Sequence, residues 1–155
     1  MASEHRRWCS TPSLTDEEPA MTAITTRPLS DSSDSLLRFA MRADATLCAG
    51  IGLIIATAAD PLSRLSGLSA ASEWVAGAAL VVYGAVLYVL AAAPDIRRIG
   101  LIVVAANVVF AIAAAAVLVA GVLPLTGLGV AMVLVTVAST LGFAYLQYLG
   151  VRRLA

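Results

Sequence analysis

Asp44 is the one carboxylate that stands well inside an apolar run, beyond Arg42 and ahead of an unbroken stretch from Ala45. A charge in hydrocarbon is costly, so an ionisable group at that depth is a functional candidate. Two chemistries are open to it. As an acid it could take up a proton or cation for a small transporter. As a structural anion it could pair with Arg38 or Arg42 of its own segment, or with Arg97 or Arg98 of the following loop, since long basic side chains snorkel to the headgroups. Pairing is the commoner outcome. Asn107 is the second polar oddity, alone in the middle of the third apolar segment. Asp44 and Asn107 each lie eight residues past the start of a segment (Leu36 and Ile99), which at 1.5 Å per residue is ~12 Å of helix, so they are level. Tyr83 and Tyr88 on the second segment, and Ser139 and Thr140 on the fourth, reach comparable depths. A polar site of Asp44, Asn107, Tyr83, Tyr88 and Thr140 in the inner half of a bundle is therefore allowed. Such groups more often hold helices together, at ~1 kcal/mol or less per bond, than bind a substrate. For transport, Asn107 with Tyr83 or Tyr88 would contact substrate, and Asp44 would need a solvated cavity.

Other chemistries lack their residues. The only histidine, His5, lies in the polar N-terminal stretch, and the two cysteines, Cys9 and Cys48, form no metal-ligand or redox motif. Cys48 reads as a small hydrophobe. No phosphate-binding glycine loop, nucleophile elbow or paired carboxylates at acid–base spacing occur, so neither an enzyme nor a cofactor or metal site is expected. Arginines placed at segment ends rather than on one face speak against nucleic acid as a partner.

The elements that must position these residues are apolar. At 60% hydrophobic and 13% charged, the 155 residues fall outside the range of soluble domains. Residues 1–34 are rich in Ser, Thr, Asp, Glu and Pro and are expected to form a disordered cytoplasmic tail. His5-Arg6-Arg7 opens no apolar run, so no signal peptide is read there, and Met21 is an alternative start. Residues 35–155 are expected to form one all-α domain, a bundle of four transmembrane helices at about 36–59, 73–93, 99–120 and 125–150. Each has ~20 residues, enough to cross a ~30 Å hydrocarbon core. A helix is required because hydrocarbon leaves no partner for unpaired backbone groups. Asp60-Pro61 reads as a stop, with a polar loop around Ser63–Gly67 behind it. The short connections at Pro94–Arg98 and Gly121–Pro124 predict antiparallel neighbours.

Arg27, Arg38, Arg42, Arg97, Arg98, Arg152 and Arg153 fall on one side of these segments and Arg64 on the other. The positive-inside rule makes the crowded side cytoplasmic, placing both termini inside the cell membrane. Trp74 and the pair Tyr145 and Tyr148 then sit at the outer and inner interfaces as belts. Asp44 and Asn107 are sixty-three positions apart, as are Pro61 and Pro124; with a three-residue gap, Ser66-Gly67-Leu68 falls on Thr126-Gly127-Leu128 and Tyr88 on Tyr148. This would be a parallel repeat about an axis normal to the membrane. Gly52 and Ala56, Ala111 and Ala115, and Ala138 and Gly142 are small residues four apart, suited to close helix contact within the chain or in a homo-oligomer or larger membrane complex.

Leu36-Leu37-Arg38-Phe39-Ala40-Met41-Arg42-Ala43-Asp44-Ala45, Asn107, and Phe143-Ala144-Tyr145-Leu146-Gln147 together resemble the small four-helix integral membrane proteins of high-GC actinobacteria, whose function is unknown. The resemblance implies the fold and brings no activity. The likeness to small multidrug-resistance transporters is topological: those carry a Glu amid denser aromatics than stand here.

Overall fold

The computed structural model of the protein describes residues 30–154, with side chains from Asp34 onward. The expected disordered tail lies outside the described residues as far as residue 29. From Ser30 the chain is helical apart from short connections: α1 (Ser30–Thr57), α2 (Ala59–Ser66), α3 (Ala70–Leu90), α4 (Ile96–Ala120) and α5 (Gly127–Arg152). Helices α1, α3, α4 and α5 are long and apolar enough to cross a membrane, which makes the chain a multi-pass membrane protein. Within their most apolar stretches only 17% of α4 and 11% of α5 is buried by the rest of the protein. Those helices turn most of their surface to lipid, so van der Waals fit and interhelical hydrogen bonds, not a water-excluding core, must hold them.

The helix boundaries follow their caps. Ser69, Asp95 and Thr126 accept hydrogen bonds from the backbone N–H groups of Ser72, Arg98 and Gly129, starting α3, α4 and α5. Each start therefore falls within three residues of the sequence expectation. Helix α1 begins six residues before the expected Leu36, inside the stretch read as tail. The expected polar loop after Pro61 is a helix. Pro61 is the third residue of α2, where a backbone N–H has no intrahelical partner to lose. Gly67, at φ 88°, closes α2 in the left-handed conformation that glycine adopts without penalty.

Helix α1 is the centre of the bundle. Its main contact is with α3, and it also packs on α5 and α4, while α4 and α5 pack on each other. A Cβ at Gly77 would stand 2.6 Å from the Gly52 carbonyl oxygen and 2.5 Å from the Ala56 nitrogen, and one at Gly84 would stand 2.6 Å from the Ala45 carbonyl oxygen. The Gly52–Ala56 pair is thus spent on α1–α3 contact. Gly142 has nothing near it and faces outward. The antiparallel pairing expected of α3 and α4 from their short connection is not a packing contact of any extent, because α3 turns its glycine face to α1.

Three pairs of residues related by the internal spacing touch each other. Asn107 hydrogen-bonds Asp44, the Thr126 N–H donates to the Ser66 carbonyl at 2.9 Å, and a Cβ at Gly100 would meet Leu37, sixty-three positions earlier, at 2.8 Å. The buried positions also coincide: Leu37, Ala40 and Asp44 with Gly100, Val103 and Asn107, and Gly84, Leu87 and Ala91 with Ala144, Gln147 and Val151. These matched contacts run along the seam between α1–α3 and α4–α5, but the packing of the two halves is unequal: α1 packs on α5, whereas α3 and α4 make no contact of any extent.

Candidate functional site

Asp44 lies on the inward face of α1, 4% exposed, and its carboxylate is met from two other helices. The Gln147 Nε2 on α5 donates to Oδ2 at 2.9 Å and the Asn107 Nδ2 on α4 at 3.4 Å, while the Cys48 thiol donates to Oδ1 at 3.4 Å. The Asn107 Nδ2 also donates to the Gln147 Oε1 at 3.1 Å, and the Tyr83 hydroxyl on α3 donates to the Asn107 Oδ1 at 2.8 Å. One network thereby joins all four spanning helices. Every bond reaching Asp44 has Asp44 as acceptor. Among the described residues no buried side-chain nitrogen or oxygen lacks a partner. In hydrocarbon an unpaired polar group costs more than the bond itself returns, so closure of the network matters more than any single distance.

Among the described residues no arginine pairs with Asp44. Arg38 forms an ion pair with Asp34 at 3.5 Å and donates from Nη1 to the carbonyls of Ala91 and Ala93 at 2.8 and 3.1 Å, capping the end of α3. The pairing expectation fails on helix geometry: at about 100° per residue, Arg38 and Arg42 stand about 240° and 200° around the helix from Asp44.

Of the expected site residues, Asp44, Asn107 and Tyr83 meet. Tyr88 does not, being five residues from Tyr83, about 140° around α3, and 55% exposed on the outer face. Thr140 also stands apart. It shares the face of Gln147 but lies two turns away, ~10 Å along α5, and Ser139 is exposed. Gln147, 0% exposed, is the functional group that sequence reading missed. A carboxamide in the last turns of an apolar helix was the available signal, but the flanking Tyr145 and Tyr148 made that stretch read as interface. Both tyrosines point outward, as does Leu146, while Ala144 and Gln147 point in.

A second polar knot lies at the far end. The Ser66 hydroxyl donates to the buried Glu73 carboxylate at 2.5 Å and accepts from the Leu68 N–H at 3.1 Å. The Thr126 hydroxyl donates to the Leu65 carbonyl. These bonds tie α2 to the starts of α3 and α5. No group of three or more metal-ligating side chains occurs among the described residues. No protein-family model, curated protein or solved structure matches the chain.

Proposed function

We propose that this protein is a non-catalytic component of the cell membrane, either an accessory subunit of a larger complex or a small homo-oligomer, with both termini in the cytoplasm. The observation that carries this reading is the closure of the Asp44 network. Its donors are directed at acceptors within the cluster, and the surface grooves beside Arg42 are lined by other residues. A carboxylate so enclosed acts as a fixed anchor for four helices, and proton or ion exchange with bulk would require the bundle to open. The arginine distribution supports the orientation.

One observation favours a second reading, a small proton- or cation-coupled transporter. Asp44 has no cationic partner among the described residues, so a mobile cation would be what balances it. Native mass spectrometry of the protein drawn from its own membranes in mild detergent separates the two. A stoichiometric foreign subunit or a defined self-oligomer supports the component reading. A lone monomer, with proton flux into vesicles that Asp44→Asn abolishes while the fold persists, replaces it with the transporter.

A further inference from the structure

The outward face of α1 carries a cation of a different kind from Arg38. Arg42 is exposed, and among the described residues no ion pair or hydrogen bond engages its guanidinium. It stands where two surface grooves meet. One, of about 460 Å³, is lined by Asp34, Arg38 and Arg42 among others and opens toward the start of α1. The other, of about 690 Å³, runs from Arg42 past Leu47, Gly50, Ile51 and Ile54, with Tyr88 of α3 at its side. Gly50 lines this groove, and a Cβ there would stand in open space. From Arg42 to Ile54 the helix rises about 18 Å, close to the ~15 Å depth of one leaflet's hydrocarbon.

We infer that this face is a binding site for an anionic phospholipid, its phosphate on the Arg42 guanidinium and one acyl chain along the groove at Gly50. The charge decides the occupant. An unpaired guanidinium at the edge of hydrocarbon gains most from a phosphate oxygen pair, which it can grip with two parallel hydrogen bonds. Arg38 cannot serve in its place, since Asp34 and the end of α3 occupy its donors. Basic pockets at helix boundaries near a membrane surface are where anionic headgroups are recognised. The inference needs only that α1 spans the membrane, and it stands whichever functional reading holds.

The test uses full-length, delipidated protein in mild detergent, titrated with phosphatidylglycerol or phosphatidylcholine and read by native mass spectrometry. The expected result is one tightly held phosphatidylglycerol, kept over phosphatidylcholine by about fivefold, with Arg42→Gln removing that preference. Gly50→Leu fills the groove and weakens both lipids. Both positions are exposed, and an unchanged melting temperature checks that the variants fold. Arg152→Gln, on the opposite end of the sequence and stacked over Tyr148, leaves the preference intact. Equal retention of the two lipids, an Arg42→Gln variant with undiminished preference, displacement by millimolar inorganic phosphate alone, or a self-dimer whose cross-links run through Gly50 would each overturn the inference.

Discussion

Gln147→Leu removes both ends of the carboxamide that joins α5 to the network while leaving an apolar side chain of similar size. Two hydrogen bonds disappear, at 2.9 Å to Asp44 and 3.1 Å from Asn107. Neutral interhelical bonds in membranes average ~0.6 kcal/mol, whereas a bond to a charged group contributes ~1.5–3 kcal/mol. The Asp44 bond is of the second kind, and the donors left to the carboxylate, Asn107 and Cys48, are both at 3.4 Å. The expected loss is therefore about 2–3 kcal/mol, a fall of about 30- to 150-fold in the folded-to-unfolded ratio. Asp44→Leu strands only neutral amides and should cost less, about 1–2 kcal/mol. Asp44→Leu/Gln147→Leu should fall short of the sum of the two by at least about 1 kcal/mol, because each single change already breaks the bond they share. Equilibrium unfolding in mixed micelles with a denaturing detergent, followed by loss of helicity, measures all three. If Gln147→Leu were harmless, or the two losses added to within about 0.5 kcal/mol, the polar groups would not form one cooperating cluster.

Gly77→Ala should lower stability by about 1–3 kcal/mol through overpacking against Gly52 and Ala56, whereas Gly142→Ala, with open space around it, should be neutral or slightly stabilising; melting temperatures in detergent compare them. Arg38→Gln should release the Ala91 and Ala93 carbonyls and speed amide hydrogen exchange through the connection at 91–95, at a cost of about 1–2 kcal/mol. In a chain with Cys9→Ser and Cys48→Ser, Ala71→Cys should react with a membrane-impermeant maleimide in intact cells and Ala92→Cys only after lysis. The opposite pattern inverts the orientation.

The number, length and order of the spanning helices were legible from composition, because a bilayer demands long uninterrupted apolar stretches and leaves no alternative backbone. Helix α2 was not, because a proline after an aspartate suits a first turn as well as a stop, and only the chain's path afterwards decides which. For the site, depth counting from helix starts brought Asp44 and Asn107 to one level correctly. It failed on α5, which ends near Arg152, so that Gln147 and not Thr140 comes level with Asp44. Counting depth also says nothing of azimuth. Tyr83 and Tyr88 share a helix and differ by a turn and a fraction, and only rotation about α3 separates the one that turns inward from the one that faces lipid.

The contact between Asp44 and Asn107 lies on the line where the two halves meet their own counterparts. Two separate copies of one hairpin, paired across that line, would be bound to place identical groups face to face. Two carboxylates at such a distance repel and cannot both stay charged, and two carboxamides would carry no charge at all. A single continuous chain escapes that identity. It can set an acceptor on one side and a donor on the other, so a single carboxyl group stands at this seam, contributed by the α1 half alone. The exchange Asp44→Asn/Asn107→Asp would move that group to the α4 half, beside the Tyr83 hydroxyl.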